Sequence, residues 1–140
     1  MIILSVDYGD RRTGLAICDK FEMLASPLGV ITEWNREVLA SKIVQTASEK
    51  KVEEIVVGLP KNMDGTKGER ARACEELGEE IKKLTDIPVA FWDERLTTVS
   101  AHRILSENNV RGKKRKSVVD SVAAELILQN YLDYRKNHKE

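Results

Sequence analysis

The segment Ile2-Ile3-Leu4-Ser5-Val6-Asp7-Tyr8-Gly9 opens the chain with a β-branched, apolar run that ends at an acidic residue and a nearby glycine. Such a run is typical of a buried strand that a turn terminates. A second apolar run, residues 13–19, is close enough in sequence to pair with the first as a hairpin. We therefore predict a β-hairpin whose first, buried strand ends in a carboxylate.

Hydrophobic spacing and turn residues predict seven further elements downstream of this hairpin. The first three are a weak strand over 23–32, at an edge or bulged because of Pro27 and Gly29, a helix over 38–47 capped by Asn35, and a buried strand over 54–58. A helix then runs from a Thr66–Glu69 capping box to about residue 84. The last three are a strand over 89–93, a helix over 99–106 and an apolar helix over 117–134. Residues 111–116 are predicted to be a polar, basic connector.

The order βββαβαβα, followed by a further helix, predicts an α/β fold. Three leading strands and a later βα alternation favour a mixed five-stranded sheet with helices on both faces. The length of 140 residues suits one domain over residues 1–140, because domains most often contain roughly 100–150 residues.

Composition excludes several classes of protein. No window approaches the ~20 apolar residues of a membrane span, and the first residues lack the basic and apolar regions of a signal peptide. Cys18 and Cys74 lie far apart and outside any CxxC pattern, which favours a reducing compartment. We therefore predict a cytoplasmic protein with no membrane partner.

The charge balance is a cancellation between two parts of the chain. Residues 1–110 contain 15 Lys+Arg and 19 Asp+Glu, a net charge of −4, whereas residues 111–140 contain 8 and 4, a net charge of +4. A formal net charge of zero therefore does not exclude a nucleic-acid enzyme, because a basic segment supplies local affinity for phosphates.

Three carboxylates occupy positions that burial alone does not favour. Asp7 ends the first strand, Glu94 follows the strand over 89–93, and Asp120 lies on the apolar stripe of the last helix. Carboxylates that converge repel one another by roughly 4 kcal/mol at ~4 Å, and a divalent cation relieves this repulsion. Mg²⁺ or Mn²⁺ prefers oxygen ligands, and a two-metal site of this kind hydrolyses phosphodiesters.

Each acid also has a simpler interpretation. Asp7 is placed to satisfy turn amides, and Asp120 follows Ser117 at the spacing of a capping box. Glu94 is adjacent to Arg95 as an ion-pair partner, and Asp93 competes with it for the inward position. Only the joint placement of the three acids favours a metal site.

Four ordered blocks of the sequence resemble the YqgF/RuvX family of candidate Holliday junction resolvases, also described as candidate pre-16S rRNA nucleases. The blocks are Val6-Asp7-Tyr8-Gly9 with Arg12-Thr13-Gly14-Leu15-Ala16, then Val57-Gly58-Leu59-Pro60-Lys61-Asn62-Met63-Asp64-Gly65, then Asp93-Glu94-Arg95-Leu96-Thr97-Thr98, and Asp120-Ser121-Val122-Ala123-Ala124 with Ile127-Leu128-Gln129. The resemblance spans nearly the whole chain. It implies a ribonuclease H-like fold, with Asp7, Glu94 and Asp120 as catalytic residues and ligands of Mg²⁺ or Mn²⁺.

The resemblance further implies a hydrolase acting on ester bonds, a metal-dependent endonuclease for precursor ribosomal RNA or branched DNA. A two-fold junction would suit a homodimer, but the sequence leaves monomer and homodimer open. Candidate nucleic-acid-binding residues are Arg12, Lys61 and Arg95 in the matching blocks, and Arg111, Lys113, Lys114, Arg115 and Lys116 in the basic run. Each of the first three fits a structural ion pair equally well, and a charge run is often only a solvated loop. Core or boundary packing is favoured over base stacking for Trp34 and Trp92.

Two other functions compete with a nuclease. A non-catalytic module that binds structured RNA or a ribosomal partner has no use for clustered carboxylates facing phosphate. An actin-like or sugar-kinase-like ATPase shares the core fold but needs two lobes, and 140 residues provide one.

Overall fold

In the computed structural model of the chain, residues 1–9, 11–60, 66–94 and 112–137 are described, the side chains of 112–121 excepted. Eight elements lie in these ranges: β1 (Ile3–Asp7), β2 (Arg12–Cys18), β3 (Ala25–Thr32), α1 (Arg36–Glu49), β4 (Glu54–Leu59), α2 (Glu69–Leu84), β5 (Val89–Asp93) and α3 (Gly112–Asn137). The predicted helix over 99–106 falls outside the described residues. No helix within the described ranges is long and apolar enough to cross a membrane.

The five strands form one mixed sheet in the order β3-β2-β1-β4-β5, as the sequence predicts. β1 is antiparallel to β2 and parallel to β4, and β4 is parallel to β5. The turn between β1 and β2 requires Gly9, since a Cβ there would lie 2.1 Å from the carbonyl oxygen of Arg12. The carboxyl ends of β1, β4 and β5 therefore meet at one edge of the sheet, called here the carboxyl edge.

Helices cover both faces of the sheet. α1 and α2 pack on the face that includes Leu4 and Val6, and α3 packs on the face that includes Ile3. Ser5 points toward α3, where its hydroxyl donates to the carbonyl oxygen of Ala124 at 2.7 Å. Because side chains alternate along a strand, Asp7 belongs to the α3 face as well.

α3 runs in the direction opposite to β4. The Tyr131 hydroxyl donates to the carboxylate of Glu54 at the start of β4, whereas Ile127 packs beside Gly58 near its end. Residues earlier in α3 therefore lie progressively closer to the carboxyl edge. The backbone of Asp120, one turn before Ala124, lies toward that edge.

Several local predictions are confirmed. β3 is an edge strand, and its register with β2 shifts between Leu15 and Ala16, as expected for a bulge. Asn35 caps α1, since its side chain accepts from the Val38 N–H at 3.0 Å. Cys18 and Cys74 are buried free cysteines.

Two local predictions are wrong. The Thr66–Glu69 capping box does not form, because Lys67 is held in a β-bridge and α2 begins at Glu69 with Gly68 as its N-cap. The basic run is not a connector, because α3 begins at Gly112 and includes residues 113–116. Lys and Arg are good helix formers, so this segment continues the apolar helix instead of interrupting it.

Candidate functional site

Two glycines flank Asp7 at the carboxyl edge. Gly14 of β2 is its direct partner in the antiparallel pair. On the other side, the β1–β4 register pairs Val6 with Val57, and its continuation by one residue brings Asp7 beside Gly58. Since neither neighbour has a side chain, no Cβ from β2 or β4 crowds the Asp7 carboxylate on the α3 face.

The Glu94 carboxyl group lies over Gly58. A Cβ placed on Gly58 would be 3.2 Å from both Cδ and Oε2 of Glu94, and 2.7 Å from Cδ1 of Ile127. Glu94 therefore occupies the space that a side chain on β4 would fill, on the face that Asp7 shares. This brings the second predicted acid toward the first from the opposite side of β4.

Glu94, and not Asp93, takes the inward position that the sequence left open. Trp92 pairs with Gly58 in the β4–β5 register and packs on the α3 face. Asp93, the next residue in the strand, alternates to the other face. Glu94 directly follows β5, and its carboxyl group lies over Gly58 of β4.

Burial is the main influence on the pKa of Glu94 and raises it, while the Arg70 guanidinium lowers it and Asp93 raises it further. Glu94 and Asp7 both influence the pKa of the Cys74 thiol on α2. Burial raises the pKa of this thiol to about 12, Arg70 opposes the rise, and Glu94 and Asp7 add to it. The two carboxylates thus lie within electrostatic reach of one point beneath the carboxyl edge.

Arg70 is a member of this site that the sequence analysis missed. It lies in the first turn of α2, donates to the carbonyl oxygen of Tyr8, and places Cζ 5.6 Å from the centre of the Tyr8 ring. Tyr8 directly follows Asp7, so Arg70 fixes the end of β1 as well as compensating the charge of Glu94. A signal was available, because α2 follows a loop that starts at the end of β4, which brings its first turn to the carboxyl edge.

Arg12 lies at the same edge, at the start of β2. It is two residues from Gly14 and therefore faces α3, as Asp7 does. Its Nη1 atom is buried and has no hydrogen-bond partner among the described parts of the chain. A buried guanidinium nitrogen without a partner is costly, and an anion at this edge would satisfy it.

The remaining predicted site residues are placed only in part. Lys61, Arg95 and Arg111 lie outside the described residues. Four basic residues and the third acid lie in the first half of α3 with undescribed side chains: Lys113, Lys114, Arg115, Lys116 and Asp120. Among the described side chains, no group of three metal-ligating residues is present. The two described acids nevertheless offer the carboxylate oxygens that Mg²⁺ and Mn²⁺ prefer, so the donor chemistry fits such an ion.

The carboxyl edge lies away from a pocket found in the described part of the chain. A pocket of about 460 Å³ lies elsewhere, between the β2–β3 turn and the last turns of α3, where Phe21, Met23 and Leu132 contribute to its lining. This pocket is remote from Asp7 and Glu94.

Comparisons with known proteins identify relatives over nearly the full length. The profile of one family, described as RuvX: Holliday junction resolvase, matches residues 1–134. A protein of Halothermothrix orenii named as a candidate pre-16S rRNA nuclease is 48% identical over 135 residues, covering 96% of each chain. A Streptococcus mutans protein of the same name is 45% identical over 136 residues, covering 95% of this chain and 98% of its own.

Solved structures share the fold. T. thermophilus RuvC in complex with a Holliday junction substrate matches with a TM-score of 0.65 and 12% identity, covering 99% of this chain and 97% of that one. The fowlpox virus resolvase in complex with Holliday junction DNA matches with a TM-score of 0.51 and 11% identity over all of both chains. The fold is therefore ribonuclease H-like, as the sequence resemblance implies.

Proposed function

The chain belongs to the RuvX family of Holliday junction resolvases, and we propose that it is a metal-dependent endonuclease that hydrolyses phosphodiesters in structured nucleic acid. One observation carries the proposal: the Glu94 carboxyl group lies over Gly58, directly beside the strand position of Asp7. Two carboxylates brought together on one face of the sheet are costly unless positive charge lies between them, which a bound cation would supply. A binding module without catalysis gains nothing from this arrangement.

Asp7, Glu94 and Asp120 are proposed to hold Mg²⁺ or Mn²⁺, the first two by their observed placement and the third by its backbone position in α3. When bound, a pair of such ions supplies activation of a water and stabilisation of the leaving oxygen. The role of the chain is to fix the carboxylates. Arg70 does so by holding the carbonyl group of Tyr8, the residue after Asp7.

Cations near the acids are proposed to hold the substrate. Arg12 offers a buried Nη1 donor that a phosphate oxygen would satisfy. Gly14, which has no side chain, lies directly beside Asp7 in the β1–β2 pair. The basic residues 113–116 lie in the half of α3 nearer the carboxyl edge, where they add positive charge beside the acids. Lys61, Arg95 and Arg111 remain candidates for the same role.

Precursor 16S ribosomal RNA, processed near its 5′ end, is the substrate we favour. Three relatives named for that activity are 48%, 43% and 40% identical to this chain. Junction DNA is the second candidate because the family description names it. With either substrate, we propose that the protein acts in the cytoplasm. A two-fold junction would suit a homodimer, whereas an RNA precursor would suit a monomer.

Cleavage assays on both substrates, each with Mg²⁺ and with Mn²⁺, test the proposal. We expect Asp7→Asn to abolish cleavage without changing the folded state, because an isosteric amide loses the anionic oxygen but retains the packing of β1. Circular dichroism verifies the fold of the variant. Metal-dependent cleavage retained by Asp7→Asn would remove Asp7 from the mechanism. Tight binding without cleavage of either substrate would favour the alternative, a non-catalytic module for structured RNA or the ribosome.

A further inference from the structure

Trp34 does not pack in the core or at its boundary, contrary to the prediction from sequence. Its side chain is 71% exposed, and the Arg11 guanidinium carbon lies 5.7 Å from the centre of its ring. Trp92, in contrast, is buried against α3. With one face of the indole covered by Arg11, this degree of exposure leaves the rest of the ring open to solvent.

Trp34 and Arg11 lie at the same edge of the sheet as the carboxylates. Arg11 directly precedes β2, and Trp34 lies two residues after the end of β3, where Arg12 pairs with Thr32. The Glu33 N–H donates to the carbonyl oxygen of Arg11 at 3.0 Å and so connects the two segments. Strand spacings of about 4.8 Å and rises of about 3.3 Å per residue put Trp34 roughly 15 Å from Asp7.

The charges around Trp34 favour a polyanion. Arg12 has a buried Nη1 atom without a partner among the described groups, and Arg11 adds a second guanidinium. Glu33, next to Trp34 in the sequence, is neutralised by Lys42 at 2.9 Å. An exposed indole with a guanidinium group over one face is a combination that binds single-stranded nucleic acid by stacking and by phosphate contacts.

We propose that Trp34 and Arg11 form a stacking platform for an unpaired base of the substrate, roughly 15 Å from the phosphodiester held at Asp7. This inference rests on the proposed function and deepens it. A stacked strand rises about 3.4 Å per nucleotide, so the platform engages a base about four nucleotides from the cleaved bond. The expected substrate therefore contains a boundary between a duplex and an unpaired strand near the cleavage site.

The chain contains a matched control. Phe21 is also 71% exposed, and Lys20 lies over its ring at 5.1 Å. It belongs to the β2–β3 turn at the opposite edge of the sheet. Any general effect of removing an exposed aromatic ring with a cation beside it therefore occurs in both variants, whereas stacking on a base near Asp7 is lost in only one.

The experiment measures binding in the Asp7→Asn background, so that cleavage does not interfere. Three hairpins are compared by fluorescence anisotropy: one blunt, one with a five-nucleotide unpaired extension, and one whose extension is abasic. The abasic extension retains every phosphate and lacks only the bases, which separates stacking from charge. Each hairpin is made as RNA and as DNA. Trp34→Ala, Trp34→Phe and Phe21→Ala are measured beside the background protein.

We expect the background protein to bind the base-bearing extension about 5- to 100-fold more tightly than the abasic one, the range for one base–aromatic stack. Trp34→Ala should lose this preference, while Trp34→Phe retains most of it and Phe21→Ala all of it. A preference that survives in Trp34→Ala, or that Phe21→Ala also loses, overturns the inference. Equal binding of all three hairpins overturns the inference alone, whereas binding of none overturns the proposed function with it.

Discussion

Gly58 is the residue whose missing side chain makes the site possible, because the Glu94 carboxyl group occupies the space of its Cβ. Gly58→Ala would bring a methyl group to 3.2 Å from Glu94 Oε2 and 2.7 Å from Ile127 Cδ1. We expect a loss of about 1–3 kcal/mol in the free energy of unfolding, as for overpacking, together with loss of cleavage. Chemical denaturation and kcat/KM on the RNA substrate measure the two effects.

Gly78 supplies the control for that substitution. Its Cβ would lie 2.4 Å from Cζ of Phe91, in the core between α2 and the sheet and away from Glu94. Gly78→Ala should therefore change the free energy of unfolding while leaving kcat/KM near the wild-type value. If Gly58→Ala were destabilised yet fully active, the space over Gly58 would have no catalytic importance.

Glu94 gives a pH-dependent prediction about stability in the absence of metal. Burial raises the pKa of Glu94 in the folded state above its value in the unfolded chain. Below the pKa that Glu94 has in the unfolded chain, the carboxyl group is neutral in both states and its burial does not lower the free energy of unfolding. The free energy of unfolding then falls as the pH rises through the pKa that Glu94 has in the folded state. Glu94→Gln, which has no charge to bury, should be more stable than the wild type at neutral pH and equally stable near pH 3.

Urea denaturation of both proteins from pH 3 to pH 8, in a metal chelator, measures this difference. The gap in the free energy of unfolding should open as the pH rises. A constant gap across the range would show that the carboxyl group of Glu94 is not desolvated in the folded protein.

At the scale of elements, α3 begins with charges that its own dipole disfavours. Its first residues include Lys113 and Lys114, and no acid lies in its first turn. Cations near a helix N-terminus cost roughly 0.3–1 kcal/mol each at low ionic strength. Helix stability therefore does not account for the basic run, and we propose that phosphate binding does.

Replacing Lys113 and Lys114 by Gln should weaken binding and stabilise the helix slightly. On duplex substrate, the slope of log affinity against log salt should flatten by about 0.9 for each phosphate that is no longer neutralised, or about 1.8 for two. Anisotropy titrations between low and moderate salt measure the slope. An unchanged slope would indicate that these residues only face solvent.

The matched control is the pair Lys82 and Lys83 in the last turn of α2. These lysines pair with Glu79 and Glu80 on the same helix, at 3.2 and 3.1 Å. Replacing them by Gln changes the net charge equally, yet should leave the salt slope unaltered. It should also destabilise slightly, because cations near a helix C-terminus are favourable.

The same two helices indicate how far local sequence rules extend. Apolar periodicity predicted α2 and the apolar part of α3, because burial of one face requires it. It did not predict the start of either helix. At α2, Lys67 forms a β-bridge, so the helix begins after the Thr66–Glu69 capping pattern predicts. At α3, the basic run over 113–116 is polar and was assigned to a connector, although Lys and Arg have a high helix propensity.

At the scale of the whole molecule, topology brings the site together. The order β3-β2-β1-β4-β5 places β1 and β4 side by side, so Asp7 meets Gly58 although they are 51 positions apart. The sequence predicted the mixed sheet and the acids at strand ends. It did not predict Arg70, which matters through its hydrogen bond to Tyr8 and its electrostatic influence on Glu94. Nor did it predict the exposure of Trp34.

The placement of the acids predicts that divalent cations stabilise the whole fold. A ligand that binds only the native state stabilises it by about 2.7 kcal/mol at 100 times its Kd. We therefore expect Mg²⁺ or Mn²⁺ to raise the Tm of the wild type, since the proposed cations would bind the carboxylates of Asp7 and Glu94 in the native state only. Asp7→Asn should lose most of this rise, and Phe21→Ala, remote from the carboxyl edge, should retain it. Differential scanning calorimetry with and without each metal measures these shifts. An equal rise in Tm for the wild type and Asp7→Asn would place the cation elsewhere on the protein.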